Sequence, residues 1–351
     1  MATLKSKHSS FLLVFLLITL FQSVYPLLTP TTTVTAASTK SSSSTIISPV
    51  TSSSSTTTSL PMSASTSTDH SEGRTIGFIG CGTIAVAIAT GLLTQTDPNH
   101  MIHQVYVTKR SQAKSTALRK RFGDRIVVTE DNQEIVDQSD LIFLCVLPQF
   151  EESVLKALNI GHEKTLISLV STSKLSTLIQ NSNLPPSNVY KMICLPAVAD
   201  HEGTPLLLPP APPNSYLPSL LATLGGSKDS CIQCENEDIM EAMMVSTCMM
   251  GPIYGLMRAN RDFLIEHGVS PKDANNVIGR QYWGMTKDAL VKSQCEENAI
   301  DSLDQLIEEQ TPGGLNEQAL RNLEGAGVLD SYRDVMEAVL GRIHGKTDGS
   351  M

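Results

Sequence analysis

Two glycines at positions 80 and 82 have the spacing of a turn that accepts a phosphate group. Residues 80–85 read Gly-Cys-Gly-Thr-Ile-Ala, the pattern G-x-G-x-x-A. The first glycine permits a tight turn, the second lets a pyrophosphate approach the backbone, and the small last residue allows close packing of helix on strand. The amides at the start of the helix then face the anion. We therefore predict a dinucleotide site at Gly80, Gly82, Thr83, Ile84 and Ala85. A close-packed turn without a ligand is the alternative.

The residues after the next predicted strand indicate which dinucleotide binds. Sheets that bind NAD usually place an acid there to hold the ribose 2′-hydroxyl. Here the chain reads Lys109, Arg110 and Ser111, with no acid. A guanidinium and a hydroxyl suit a 2′-phosphate, because Arg offers paired N–H donors and Ser adds one more. The sequence favours NADP (NADPH) over NAD, with an ordinary solvated helix start as the alternative.

Alternating strands and helices must position these residues. The turn follows an apolar run at 75–79 and precedes an Ala, Ile and Leu-rich helix at 84–93. Further apolar strands are predicted at 104–108, 125–129, 140–146, 165–170 and 189–194, with a helix at 111–122. Such βαβ alternation predicts an α/β fold with a Rossmann-type, doubly wound parallel sheet. A proline-rich loop at 201–218 contains one short strand at 205–208, and helices follow from residue 235 onward.

Three segments resemble the pyrroline-5-carboxylate reductase family. Residues 140–149 are similar to its D-x-x-F-x-x-V-K-P-Q motif, with Leu147 in place of Lys. Residues 248–254 resemble its S-G-S-G-P-A-Y motif, and residues 312–316 resemble its P-G-G-T-T motif. The resemblance runs from about residue 74 to residue 343 and is more specific in order and spacing than in identity.

The resemblance implies an NADPH-dependent reduction of the C=N bond of a small cyclic imine, as in the step from pyrroline-5-carboxylate to proline in proline biosynthesis. It implies a nucleotide-binding domain at 74–210, in which Val146, Leu147 and Pro148 also contact the cofactor. An all-helical dimerisation and substrate domain would follow at 211–345 and form a homodimer or a higher homo-oligomer. The substrate pocket would include Cys248, Met250, Gly251, Pro252 and Leu315.

The substrate positions depart from the family in their chemistry. Cys248 and Met250 stand where the family has Ser, and Leu315 stands where it has Thr. Each exchange removes a hydroxyl from a site that binds a carboxylate, at a cost of roughly 1–3 kcal/mol per buried donor. The sequence therefore leaves open an altered substrate, or a non-catalytic dimeric NADP-binding protein derived from the family. Alcohol oxidation is disfavoured, because no Lys lies between Lys228 and Lys272 to stabilise an alkoxide.

The first 73 residues have a composition unlike the rest. A basic start precedes the apolar block 11–21, and a Ser/Thr-rich stretch without acids extends to residue 68. This pattern predicts a signal or targeting segment at 1–26 and a disordered linker or transit peptide at 27–73. The string at 23–26 resembles the cleavage motif of two-part plastid presequences. We expect an organelle such as the plastid, with secretion as the alternative, and no stable membrane association after processing.

Charge and cysteines exclude some other classes. The net charge is −9 without a basic stripe, so nucleic-acid binding is not expected. The single C-x-x-C at Cys231 and Cys234 lacks the second ligand pair that a structural zinc needs, and a dithiol redox pair is the other interpretation. No metal site is predicted. The seven cysteines form no visible disulfide framework, which favours a reducing compartment.

Overall fold

A mostly parallel β-sheet forms the first part of the described chain. The computed structural model describes residues 73–293 and 301–346. Within them the strands pair in the order β3-β2-β1-β4-β5-β6-β7-β8. The pairs from β3 to β6 are parallel, β7 is antiparallel to β6, and β8 is parallel to β7. The strands are β1 (Arg74–Ile79), β2 (Ile102–Thr108), β3 (Ile126–Thr129), β4 (Leu141–Leu144), β5 (Thr165–Ser168), β6 (Val189–Ile193), β7 (Leu206–Leu208) and β8 (Ile232–Gln233).

The order of the first six strands is that of the Rossmann fold. The chain starts at β1, winds outward to β3, returns to β4 beside β1 and winds outward again. The predicted fold class, a doubly wound sheet followed by a helical region, is confirmed. The strand order reverses between β1 and β4, which is where such sheets bind ligands at the carboxyl ends of their strands.

Helices cover the sheet and then form the rest of the described chain. Six accompany the sheet: α1 (Thr83–Thr94), α2 (Gln112–Phe122), α3 (Asn132–Gln138), α4 (Pro148–Lys156), α5 (Leu175–Ser182) and α6 (Leu217–Ala222). The helical region follows with α7 (Glu237–Cys248), α8 (Met250–Glu266), α9 (Pro271–Ser293), α10 (Ser302–Glu308), α11 (Leu315–Gly325) and α12 (Val328–Ile343).

Apolar side chains of the strands are buried on both faces of the sheet. Phe78 of β1 and Phe143 of β4 stack with ring centroids 4.9 Å apart, inside the larger core cluster. Ile142 and Leu144 point to the other face and pack in a second cluster. A strand buried on both faces reads as a continuous apolar run, which is why β4 was recognisable in the sequence. The two clusters fix β1 and β4 side by side.

The sheet extends beyond the boundary that the sequence analysis placed at residue 210. After β7 the chain forms α6, whose Leu217, Leu220 and Leu221 are buried in the larger core cluster. It then adds β8 to the edge of the sheet. The prolines between 205 and 218 suggested an interdomain loop, but the leucines that follow them bury enough apolar surface to stay with the sheet. The predicted targeting and linker segments lie outside the described residues, apart from Gly73.

Gly91 offers a test of the contact between α1 and the turn at 196–200. A Cβ atom at this glycine would lie 2.3 Å from the carbonyl oxygen of Val198. We expect Gly91→Ala to lower the free energy of unfolding by about 1–3 kcal/mol through overpacking. The matched change Gly279→Ala in α9 meets nothing within 4 Å, so it should stabilise the protein by roughly 0.5–1 kcal/mol. Urea denaturation measures both, and equal effects would contradict this packing.

Candidate functional site

The turn after β1 is built around Gly80. Its φ of +102° is a conformation that side chains rarely allow, and a Cβ atom would lie 2.3 Å from the carbonyl oxygen of Cys145. The amide of Gly80 donates to Oγ1 of Thr108 at 3.1 Å. Cys145 follows β4 and Thr108 ends β2. The turn therefore joins the carboxyl ends of three neighbouring strands, and only glycine fits there.

Gly82 leaves space at the start of α1. It is the N-cap residue, its backbone is extended, and nothing lies within 4 Å of a Cβ atom built on it. No side chain caps the helix, and the first turn holds no acid. Thr83 is exposed and Ile84 is half-buried, whereas Ala85 is buried against the core. The first amides of α1 thus lack an acidic partner and face open space, as a pyrophosphate site requires.

Lys114 is a site residue that the sequence analysis missed. Its Nζ lies 2.7 Å from Oγ1 of Thr83, the first residue of α1. A cation is unfavourable at the positive end of a helix dipole unless an anion also binds there. The signal available in the sequence was its place in the first turn of the helix after β2, because that helix runs beside α1. Lys114 therefore supplies a positive charge to the phosphate end of the site.

The three predicted 2′-phosphate ligands at the end of β2 differ in the contacts that they make. Nζ of Lys109 lies 2.6 Å from Oε1 of Glu130, and this contact lowers the pKa of the Glu130 carboxyl. Arg110 stacks over the ring of Phe150 in α4, 4.7 Å from its centroid. Ser111 is the N-cap of α2 but makes no capping hydrogen bond with its side chain. Among the described residues, Arg110 and Ser111 thus contact no carboxylate, whereas Lys109 pairs with Glu130.

The segment after β4 forms the opposite wall of the site. The amide of Cys145 donates to the carbonyl of Ile79 at 2.8 Å, which extends the pairing of β1 and β4 up to the glycine turn. Val146 is half-buried, Leu147 is exposed and Pro148 is the first residue of α4. The structure therefore brings the three predicted residues 146–148 beside the glycine turn.

The cysteines near the site are not nucleophiles. Burial raises the pKa of Cys81 and Cys145, and it raises the pKa of Cys194 to about 12. A thiol that stays protonated at neutral pH behaves as a small apolar group. The C-x-x-C pair is divided between two core clusters, Cys231 packing against one and Cys234 in another. Burial raises the pKa of both of these thiols as well, which disfavours a reactive dithiol.

The predicted substrate residues lie at helix ends on the surface of the single chain. Cys248 ends α7 and is exposed, and Met250, Gly251 and Pro252 form the exposed first turn of α8. Leu315 begins α11 and is 83% exposed. The described part of one chain does not enclose these positions in a pocket.

A doubly wound sheet with an open glycine turn at its switch point defines a dinucleotide-binding protein of the Rossmann class. Residues 75–172 match a family model described as NADP oxidoreductase coenzyme F420-dependent. A pyrroline-5-carboxylate reductase from Methanosarcina acetivorans is 26% identical over 274 residues, covering 76% of this chain and 95% of that protein. Another from Corynebacterium melassecola is 28% identical over 139 residues, covering 38% of this chain and 46% of that protein.

A solved structure has the same fold over the described regions. The Plasmodium falciparum pyrroline carboxylate reductase with NADP bound superimposes with a TM-score of 0.60 at 18% identity, covering 80% of this chain and 99% of that one. Within the Rossmann class, the chain is similar to the pyrroline-5-carboxylate reductases.

Gly82 allows a test that separates folding from cofactor binding. Asp is a favourable N-cap residue, so Gly82→Asp should leave the melting temperature unchanged or slightly raised. Its carboxylate would occupy the space for the pyrophosphate and repel it, and we expect NADPH affinity to fall by about a hundredfold or more. Fluorescence titration and a thermal melt measure the two effects. Gly325→Asp adds the same charge in open space at the C-terminal end of α11, where it should slightly lower the melting temperature but leave NADPH affinity unchanged. A Gly82→Asp variant with normal affinity would show that the pyrophosphate does not bind at this turn.

Proposed function

We propose that the chain is an NADPH-dependent reductase of the C=N bond of a small cyclic imine. By family it is an NAD(P)H-dependent oxidoreductase of the pyrroline-5-carboxylate reductase-like kind. The observation that carries the proposal is the uncapped start of α1 beside Gly82, with Lys114 next to it. These groups suit the pyrophosphate of a nicotinamide dinucleotide.

Arg110 supports the choice of NADPH over NADH. Its guanidinium lies at the end of β2 and is anchored on a ring rather than on a carboxylate. Paired N–H donors in that place match a 2′-phosphate. Glu130 would disfavour a second negative charge nearby, but its pairing with Lys109 neutralises it. The relative from Plasmodium falciparum has NADP bound.

Positioning alone can accomplish the proposed reaction. Bound NADPH would supply a hydride to an electrophilic carbon about 3–3.5 Å away. A protonated cyclic imine is already activated, so no alkoxide forms and no strong acid is required. The chain's own residues would bind the phosphates at α1, hold the nicotinamide end against Val146 and Pro148, and exclude water with apolar side chains such as Met250. Their contribution is orientation.

A homodimer would enclose the substrate residues. The helical region leaves many large apolar side chains exposed, more than scattered surface residues explain. The helical run Glu237–Glu266 is long and apolar enough to cross a membrane by length and composition, and only 28% of its apolar window is buried. We assign this surface to a second copy of the chain, because packing against another protomer would cover these exposed apolar side chains. The exposed residues in α8 and α9 are Met250, Ile253, Tyr254, Leu256, Phe263, Ile265, Val277, Trp283, Met285, Leu290 and Val291.

The exchanged residues favour a less polar imine than pyrroline-5-carboxylate. Cys248, Met250 and Leu315 provide no hydroxyl for a carboxylate. Methionine is a flexible, polarisable wall for apolar ligands. The same loss favours a second candidate function, a dimeric NADP-binding protein without reductase activity, and the activity test below separates the two.

Cofactor discrimination is tested with two variants. Arg110→Ala should weaken NADPH binding by about tenfold or more and leave NADH affinity unchanged, because it removes one charge-assisted contact to the 2′-phosphate. Lys114→Ala should weaken both cofactors by similar factors, since both carry the pyrophosphate. Lys120→Ala, on the exposed side of the same helix, is the control. Equal affinity of the unaltered protein for NADPH and NADH would contradict the proposed 2′-phosphate site.

Substrate choice is tested by restoring the hydroxyls. We expect the unaltered protein to reduce apolar cyclic imines with higher kcat/KM than pyrroline-5-carboxylate. The triple variant Cys248→Ser, Met250→Ser, Leu315→Thr should raise kcat/KM for pyrroline-5-carboxylate more than the single changes predict, since the three act in one site. No turnover of any imine by the folded, NADPH-binding protein would favour the non-catalytic function. Efficient turnover of pyrroline-5-carboxylate by the unaltered protein would show that backbone amides suffice.

A further inference from the structure

A buried carboxylate and an imidazole face each other between α7 and the end of α12. Nε2 of His344 lies 3.0 Å from Oε2 of Glu241. Asp238 stands one turn before Glu241 on the same helix, and the ligand atoms of the three residues lie within 4.8 Å of one another. Glu241 is 4% exposed. This cluster is independent of the dinucleotide site.

A hydrogen bond does not account for the close approach. Oε2 of Glu241 and Nε2 of His344 are both buried, and neither has a hydrogen-bond partner among the residues that the structure describes. The other oxygen of Glu241 accepts from Nζ of Lys174 at 2.8 Å. One buried oxygen and one buried nitrogen thus lie 3.0 Å apart without a hydrogen bond between them, and a buried polar atom without a partner is unfavourable.

The distance between Oε2 of Glu241 and Nε2 of His344 is one that two ligands of the same zinc ion can have. Zinc binds nitrogen and carboxylate oxygen at about 2.0–2.2 Å, so atoms 3.0 Å apart subtend an angle of about 95° at the ion. Asp238 is exposed and takes part in no ion pair within the described ranges, so its carboxylate can adjust as a third ligand. Three protein ligands with water in the remaining positions form a common open zinc site.

The local charge also favours a cation. The carboxylates of Glu237 and Glu241 pair with the ammonium groups of Lys174 and Lys191, and the carboxylate of Asp238 adds a negative charge that has no ion-pair partner among the described residues. One negative charge is left uncompensated when the imidazole is neutral. We propose that Asp238, Glu241 and His344 bind a divalent first-row transition metal ion. The imidazole selects this class over magnesium and calcium, which prefer oxygen ligands alone.

The ion would connect the last helix to the rest of the molecule. His344 is the residue at which α12 ends, and Glu241 lies near the start of α7, held by Lys174 from the loop before α5. A metal bond across these elements would hold the chain's last described turn against α7, which packs on β7. Its role is structural, so its effect appears in stability.

Zinc binding by the chelator-treated full chain tests the proposal. Equilibrium dialysis with metal analysis should find about one zinc per chain, and zinc should raise the melting temperature. His344→Gln and Glu241→Gln should each lower zinc affinity by at least about tenfold and abolish the thermal shift. His162→Gln removes an exposed imidazole elsewhere and should leave both unchanged. Circular dichroism establishes that each variant is folded.

Cobalt identifies the ligand atoms. Cobalt in place of zinc should show visible absorption bands without the charge-transfer band of a cobalt–thiolate bond, since no cysteine belongs to the cluster. Equal zinc binding by the unaltered protein and the His344→Gln variant would overturn the proposal. A thiolate band that survives in that variant would overturn it as well, by assigning the metal to the cysteines.

Discussion

The contact of Gly80 with the carbonyl of Cys145 is the constraint on which the site depends. It exists because β1 and β4 are neighbours at the point where the strand order reverses. A side chain at Gly80 would separate these strands, and the segments 80–85 and 146–148 would no longer face the same cleft. Two residues before Gly80, Phe78 of β1 stacks on Phe143 of β4, and this contact holds the two strands together. Core packing therefore sets the width of the cofactor site.

Local patterns in the sequence predicted the sheet because each of its inner strands is a continuous apolar run. The glycine turn was also predictable from a local pattern, since backbone geometry limits which residues can occupy it. β8 escaped prediction because two exposed residues, Ile232 and Gln233, make a strand only through pairing with β7. A sequence window contains no information about such an edge partner.

Pairs of side chains from distant parts of the chain also escaped prediction. Lys109 meets Glu130 and Lys114 meets Thr83 only after the first β-α units have packed. The basic residues after β2 indicated an anion site, but the sequence could not show which cation was free. Glu130 pairs with Lys109. The start of α1 is contacted instead by Lys114, which lies outside the basic motif after β2. The sequence predicted a positively charged site, whereas the packing of the helices and strands decides which lysine or arginine supplies the charge.

The exposure of the predicted substrate positions fits the proposed dimer, in which a second copy of the chain would cover them. One chain alone supplies the groups proposed to bind the phosphates, which are the first amides of α1 and the side chains of Arg110 and Lys114. The start of α8 and the start of α11 stay open, because their neighbours in one chain do not cover them. Gly251 and Gly314 lie at the helix starts of the two motifs that resemble the family's, and the side chains near them at Cys248, Met250 and Leu315 carry no hydroxyl. Under the proposed function, the backbone at both helix starts would serve the reduction of a C=N bond, and the apolar side chains beside it would select the imine. A change of two or three buried donors amounts to several kcal/mol at about 1–3 kcal/mol each, enough to exchange one substrate class for another without altering the fold.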